Sequence, residues 1–93
     1  MLPRLFKIGE YTIFFWSNEK GEPIHIHIAV GTPHENATKI WLTRNGGFVV
    51  AHNKGDIPSH KLNQLLDLLS VEYFYICSEW KKYFRVEDIT FYC

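Results

Sequence analysis

The sequence has few cysteines and no long apolar run. Cys77 and Cys93 are its only cysteines, so we expect no disulfide framework and a reducing, cytoplasmic environment. No segment approaches the roughly 20 consecutive apolar residues that cross a bilayer, and the opening residues lack the apolar core and cleavage site of a signal peptide. No membrane partner is therefore expected.

The sequence also lacks a surplus of either charge, because Lys plus Arg and Asp plus Glu each number 10. Proteins that bind nucleic acid usually carry a basic surplus, since neutralising phosphates drives their affinity, and a DNA mimic would be strongly acidic. Both classes are disfavoured. A local basic face remains open, with Lys39, Arg44 and Lys54 as its candidates.

Aromatic residues are abundant, with three Trp, five Tyr and seven Phe in a chain of 93 residues that is 46% hydrophobic. Such a composition buries enough apolar surface to offset the entropy of ordering the chain, and the length fits one core. We expect a single domain over 1–93, with a sheet region over 3–56, a helical region over 57–86 and a tail over 87–93.

The first half of the chain has the pattern of short strands separated by turn residues. Its clearest signal lies at 24–30, where isoleucines on one face alternate with His25 and His27 on the other. The pair Asn45-Gly46 predicts a tight turn, because it tolerates positive φ at both central positions. The predicted strands cover 4–8, 11–16, 24–30, 37–43 and 48–52.

The hydrophobic period then changes to that of a helix. Apolar residues recur at spacings of three and four from Leu62 to Phe84, and Pro58 suits the first helical position. One long helix, or two that meet near Ser70, should cover the isoleucine face of the sheet. The predicted fold class is α+β: an antiparallel sheet of four to five strands with one long or two short C-terminal helices on one face. The segment 86–93 should add a final strand or dock on a partner.

The His-x-His pair formed by His25 and His27 is the main candidate for chemistry. Residues two apart in a strand point to the same side, so both imidazoles share one face, about 7 Å apart at Cα. The plainest interpretation is a polar scaffold that hydrogen-bonds its neighbours, and a contact for a partner is an alternative. The pair could also hold a metal ion or act as two acid/base groups. A third metal ligand would come from His52 in the neighbouring hairpin, from His34 or Glu22, or from another residue that folding brings close.

Trp16 and Trp41 are candidates for an exposed stacking surface of the kind that single-stranded nucleic-acid binders use. Aromatic residues in a small sheet more often belong to the core. Together with Lys39 and Arg44, the two tryptophans form the predicted set of binding residues.

Recognised catalytic motifs are missing from the sequence. It has no Gly-rich phosphate loop, no His-x-x-x-His on a helix, no Cys-x-x-Cys and no serine nucleophile elbow. Cys77 falls in the apolar helical pattern, where a buried thiol has a raised pKa and little reactivity. Any enzymatic site must therefore use dispersed residues.

One part of the sequence carries a family resemblance. The segment 22–28, Glu-Pro-Ile-His-Ile-His-Ile, resembles a bacterial family catalogued as a domain of unknown function, number 4160. Its members share an acidic residue in a loop, a Pro-x-His-x-His strand and a Leu-rich helix that ends near a Trp. The resemblance covers residues 3–84, and its other matching positions are Pro3-Arg4, 13–19, Ile57-Pro58, Leu62, Leu65, Leu66 and Trp80.

The resemblance leaves the function open, because the family has no established reaction. Its occurrence beside another small uncharacterised domain implies a toxin–antitoxin-like or mobile-element module. We therefore expect a small bacterial interaction module that acts through a protein partner or as a homo-oligomer. The alternative is a hydrolase or ribonuclease that uses His25 and His27, with or without a divalent metal as cofactor. Binding of nucleic acid without catalysis is a third, disfavoured class.

Overall fold

A computed structural model describes residues 4–93 of the chain. The start of the predicted sheet region at residue 3, and the family match at Pro3, lie outside the described residues. The described part contains five strands followed by two helices. Their bounds are β1 (Arg4–Ile8), β2 (Tyr11–Phe14), β3 (His25–Val30), β4 (Thr38–Leu42), β5 (Phe48–His52), α1 (Ser59–Ser70) and α2 (Tyr73–Phe84).

The five strands form one antiparallel sheet in the order β1-β2-β3-β4-β5, so each strand pairs with the next along the chain. This order follows from the short connections, because antiparallel neighbours need only a tight turn between them. The predicted α+β class, antiparallel sheet and C-terminal helices are confirmed. β1 and β5 have the predicted bounds, whereas β2, β3 and β4 are one or two residues shorter.

The turn between β4 and β5 differs from the prediction. Of the pair Asn45-Gly46, only Gly46 has positive φ, at 95°. The backbone N–H of Gly46 donates to the carbonyl of Thr43 (3.2 Å), and that of Gly47 donates to the Thr43 hydroxyl (2.8 Å). The turn therefore needs one residue, rather than two, in the region that glycine adopts freely.

Both helices pack on one face of the sheet, which we call the helix face. Isoleucines of β3 and β4 are completely buried there, together with apolar residues of both helices. Burying one such side chain contributes about 1.5–3 kcal/mol, so this face holds most of the core. The residues that share it include Ile13, Ile26, Ile28, Ile40, Leu65, Leu69, Ile76 and Trp80.

The helical region is two helices, of which the first ends at Ser70, the predicted meeting point. Pro58 precedes α1 as its N-cap, with φ −54° and ψ 140°, so the prediction that it occupies the first helical position was wrong by one residue. Its carbonyl still accepts the hydrogen bond of the Leu62 N–H at 2.9 Å. Within residues 4–93, neither helix has the length and apolar character that a membrane span requires.

The segment 86–93 docks on its own chain and forms no strand within the described residues. The carbonyl of Thr90 accepts from the N–H of Ile24 (2.8 Å), and that of Cys93 accepts from the N–H of Arg44 (2.9 Å). Tyr92 stacks on Trp41, with ring centroids 4.7 Å apart and planes 8° from parallel. The expected final strand was therefore wrong, because the tail pairs through isolated hydrogen bonds and ring packing.

Candidate metal centre

The two histidines lie on the face of the sheet opposite the helices, which we call the outer face. In β3 the isoleucines turn towards the helix face, so His25 and His27 share the other side. Glu19 lies in the loop between β2 and β3, and its carboxylate reaches both imidazoles. A strand therefore fixes two side chains of the cluster, and a loop brings the third.

The three side chains meet within hydrogen-bond distance. Oε1 of Glu19 lies 2.9 Å from Nε2 of His25 and 3.0 Å from Nε2 of His27. The second carboxylate oxygen is also 3.0 Å from Nε2 of His27. The three ligand atoms all lie within 4.8 Å of one another. One carboxylate is thus shared by two imidazoles through the same ring nitrogen of each.

The ring of His25 has one satisfied and one unsatisfied nitrogen. Its Nδ1 lies 2.8 Å from the carbonyl oxygen of Pro23, to which it donates a hydrogen bond. Its Nε2 is buried and has no hydrogen-bond partner in the described part of the chain, although Oε1 of Glu19 is close. A histidine that ligates a metal commonly donates its other N–H to a backbone carbonyl in this way. The Pro23 contact therefore aims Nε2 into the cluster.

The electrostatics of Glu19 favour its ionised form. Burial alone would raise its pKa, but the polar contacts and charges of His25 and His27 outweigh burial and lower the pKa from 4.5 to about 2. Its side chain is only 12% exposed. A carboxylate that stays charged while nearly buried needs a positive partner in contact with it. A protonated imidazole or a metal cation meets that need.

Aromatic rings hold the two imidazoles in place. Phe14 stacks on His27 with centroids 5.4 Å apart, and Trp16 meets the same ring edge-on at 6.2 Å. At the beginning of β3, Trp41 contacts His25 at 5.5 Å, and Trp80 of α2 reaches the same ring from the helix side of the sheet at 5.4 Å. Packing of this kind restricts the rotamers of both histidines, so the cluster is pre-organised.

The other predicted metal ligands lie outside the cluster. Within residues 4–93, the group with metal-ligand geometry consists of Glu19, His25 and His27. His52 lies on β5, opposite Lys39 of β4. The carboxylate of Glu22 contacts Nζ of Lys39 at 3.1 Å, and Nδ1 of His34 accepts from a backbone N–H in its own loop.

The four predicted binding residues are divided between two places. Trp16 and Lys39 lie beside the cluster, where Trp16 contacts His27 and Lys39 pairs with His27 across the strands. Trp41 contacts Lys39 and His25, but one side of its ring is occupied by Tyr92. Arg44 lies at the far end of β4, with its guanidinium 5.1 Å from the centre of the Phe91 ring. The structure therefore groups three of the four, and Arg44 stands apart.

Sequence reasoning missed Glu19 as a partner of the histidines. Five residues lie between Glu19 and His25, and the loop that they form has no periodicity from which a side-chain direction can be read. The available signal was the acidic loop residue that precedes the Pro-x-His-x-His strand in the resembling family. Tertiary proximity, rather than strand spacing, completes the cluster.

The fold and the cluster together define a small α+β domain with a candidate metal centre on the open side of its sheet. The model of the domain of unknown function family DUF4160 matches residues 11–81. The chain belongs to this family, as the sequence resemblance predicted. The match extends from β2 into α2 and includes all three residues of the cluster. No curated protein and no solved structure matches the chain.

Proposed function

We propose that this domain binds one divalent transition-metal ion through Glu19, His25 and His27 and acts as a metal-dependent hydrolase. The proposal rests on Nε2 of His25, which has no hydrogen-bond partner among residues 4–93. In the neutral ring, whose proton lies on Nδ1, this nitrogen presents a lone pair towards Oε1 of Glu19, 2.9 Å away, which is itself an acceptor. A metal ion removes the repulsion, because both atoms then become its ligands.

The donor set fits zinc. Two imidazole nitrogens and one carboxylate oxygen form one of the usual three-ligand sets of catalytic zinc sites. Ligand bonds of about 2.0–2.2 Å in tetrahedral geometry place the ligand atoms roughly 3.3–3.5 Å apart. The contacts of 2.9 and 3.0 Å in the cluster need to lengthen by only a few tenths of an ångström. The hydrogen bond from His25 to Pro23 supplies the outer support that such ligands need.

The hydrolytic part of the proposal comes from the number of ligands. Three protein ligands would leave a bound divalent ion one position for water, and such an ion would lower the pKa of that water towards neutrality, so that a nucleophile would be available at neutral pH. The side chains of His27 and Glu19 are 8% and 12% exposed, whereas that of His25 is 0% exposed. The accessible side of the centre is therefore the side of His27 and Glu19.

A calorimetric titration tests the metal-binding step. Protein freed of metal with a chelator should bind one Zn²⁺ per chain, and its melting temperature should rise with Zn²⁺ concentration, because the ion binds only the native cluster. Glu19→Gln and His25→Ala should abolish both effects. His34→Ala and His60→Ala, which remove exposed histidines outside the cluster, are the matched controls. Equal zinc affinity in Glu19→Gln and wild type would contradict the proposal.

The predicted interaction module is the second candidate function, and one observation favours it. The two edges of the sheet differ: β1 carries the exposed charges of Arg4 and Lys7, which discourage strand addition. The sequence of β5, Phe-Val-Val-Ala-His, carries no Lys, Arg, Asp or Glu, and Val49 and Val50 are exposed. We propose that a second copy of this chain pairs along β5, since antiparallel pairing about Val50 brings no like charges together.

Light scattering after size exclusion tests this second candidate. Wild type should be a dimer at about 100 µM, within the affinity range of weak protein interfaces. Val50→Lys should be a monomer, because it places two ammonium groups at the centre of the paired edge. Val71→Lys makes the same change at an 83% exposed valine between the helices and should remain dimeric. A monomeric wild type would exclude self-pairing.

The cellular location of the domain and its role in a larger module stay predictions. Cys77 and Cys93 are both free thiols, which supports the proposed location in a reducing bacterial cytoplasm. A role in a toxin–antitoxin-like or mobile-element module is compatible with either candidate function, and a protein partner other than a second copy would bind through the same edge.

A further inference from the structure

A row of basic side chains extends across the outer face from the proposed metal centre to the β5 edge. In the strand register His27 of β3 lies opposite Lys39 of β4, and Lys39 lies opposite His52 of β5. Directly opposed residues share a face of a sheet. Neighbouring strands are about 4.8 Å apart, so the row is roughly 10 Å long at the backbone. Lys54 follows His52 at the exposed end.

Lys39 occupies the middle of this row in a fixed position. Its Nζ lies 3.1 Å from Oε1 of Glu22 and 4.3 Å from the centre of the Trp41 ring. Both contacts hold the charged end of the Lys39 side chain at this point. The carboxylate of Glu22 is 43% exposed, whereas the side chain of Lys39 is 19% exposed. An anionic ligand can therefore displace the carboxylate of Glu22, while Trp41 still holds the Lys39 ammonium group in place.

His52 adds a hydrogen-bond donor to the row. Its Nδ1 accepts from the backbone N–H of Lys54 at 3.4 Å, which leaves the proton of the neutral ring on Nε2. The pKa of His52 is lowered by burial first and then by the positive charges of Lys54, Lys39 and His27. The lysine ammonium groups thus favour the neutral ring of His52, whose Nε2–H is then available as a donor.

We infer that the proposed metal centre takes a small phosphate ester, whose phosphate group binds between the metal ion and the Lys39 ammonium and extends towards His52. The inference rests on the proposed function. A phosphate oxygen is a good ligand for a divalent ion, and its other oxygens accept charge-assisted hydrogen bonds from Lys and His. In hydrolysis of such an ester, water adds to phosphorus, the bond from phosphorus to the ester oxygen breaks, and the leaving oxygen takes up a proton.

The size of the row favours a nucleotide-sized ester over a nucleic-acid strand. A protein that follows a polymer backbone needs a long basic groove, whereas this row contains two lysines and spans three strands. Glu22, which sits beside Lys39, opposes the approach of additional phosphates. One phosphate group, held at the metal-proximal end, is the anion that this arrangement fits.

Binding titrations into the zinc-loaded protein test the inference, with inorganic phosphate, adenosine 5′-monophosphate and adenosine as probes. We expect both phosphate-bearing probes to bind and adenosine not to bind. Lys39→Gln should weaken phosphate binding about 10- to 100-fold, because it removes one charge-assisted hydrogen bond. Glu22→Gln should strengthen phosphate binding, because it removes the competing carboxylate. Lys61→Gln, which removes an exposed lysine on α1, is the matched control.

Zinc titrations of the same variants separate the two proposals. Lys39 and Glu22 lie outside the cluster, so the variants Lys39→Gln and Glu22→Gln should bind Zn²⁺ as wild type does. Zinc binding without phosphate binding, or phosphate binding that Lys39→Gln leaves unchanged, would overturn the phosphate inference alone. Failure of wild type to bind Zn²⁺ would overturn the proposed function and this inference with it. Tight binding of a single-stranded oligonucleotide, with inorganic phosphate and the monophosphate inactive, would also overturn the assignment to a small ester.

Discussion

The two faces of the sheet are buried in different ways. The helix face is covered by two amphipathic helices, and its side chains are apolar and interlock with the helical stripe. The outer face is covered by loops and rings. Phe14 and Ala29 are buried there beside Trp16 and Ala37, and the Thr12 hydroxyl donates to the carbonyl of Gly31. The apolar side chains of the helix face therefore need only close packing, whereas the polar side chains of the outer face need specific hydrogen-bond partners.

Because of this difference, the helix face contributes mainly to stability, and the outer face carries the side chains that are available for chemistry. An apolar side chain on the helix face needs only neighbours of the right shape. A polar side chain on the outer face needs a donor, an acceptor or an ion within reach once water is removed. Within the described residues, one buried polar side-chain atom of the outer face, Nε2 of His25, has no hydrogen-bond partner. The main core therefore lies on the helix face, and the candidate site lies on the outer face.

The largest expected effect comes from the helix face. Ile26→Ala should lower the free energy of unfolding by about 2–5 kcal/mol, because it leaves a cavity at a fully buried position. Val49→Ala truncates a 42% exposed side chain on the outer face and should change the free energy by less than about 0.5 kcal/mol. Urea unfolding of both variants measures the contrast. Equal losses would show that the two faces contribute alike.

The next effect is a pH dependence that originates on the outer face. In the metal-free protein the pKa of Glu19 is about 2 when folded and 4.5 in its ordinary state. A depressed folded pKa stabilises the protein fully above about pH 4.5, and this contribution is lost as the pH falls towards 2. Urea unfolding between pH 6 and pH 2.5 should show the stability advantage of wild type over Glu19→Gln shrinking. Glu35→Gln, which removes an exposed loop carboxylate, controls for the loss of one charge.

A smaller effect is expected from the tail that covers part of the outer face. Tyr92→Ala removes the ring that stacks on Trp41 and should destabilise the protein by about 1 kcal/mol. Tyr92→Phe keeps the ring and should behave like wild type. Tryptophan fluorescence is an independent readout, since Trp41, one of the three tryptophans, stacks on Tyr92 and its surroundings change only in the alanine variant. Equal stability of Tyr92→Ala and wild type would show that the tail is held by its backbone hydrogen bonds alone.

The smallest effect concerns the two thiols and leaves the fold unchanged. Burial is the main reason that the pKa of Cys77 is raised, and it outweighs the opposing contacts with Tyr73 and Lys81. Cys93 is exposed. Alkylation at pH 8 should therefore modify Cys93 first and Cys77 much more slowly, because the thiolate is the reactive form. Cys93→Ser should retain only the slow phase, and urea should make both cysteines react rapidly.

The sequence predicted the fold more completely than the site. Strict alternation in β3 and the change of period after Pro58 are local patterns, so the sheet, the helix face and the break at Ser70 could be predicted from them. Glu19 could not be assigned to the histidines, because a loop sets its direction. His52 was a plausible ligand because its hairpin neighbours the strand of His25 and His27, but two strand spacings separate His52 from His27. The stacking of Tyr92 on Trp41 likewise depends on where the tail docks, and no local pattern determines that.

The most direct test of the metal centre is anomalous diffraction at the zinc absorption edge from crystals grown with Zn²⁺. We expect one strong peak about 2.0–2.2 Å from Nε2 of His25, from Nε2 of His27 and from a carboxylate oxygen of Glu19. A cluster without a peak, or zinc found only at exposed histidines such as His34 and His60, would contradict the claim. The two imidazoles and the carboxylate would then be a polar scaffold, held by a proton instead of a metal.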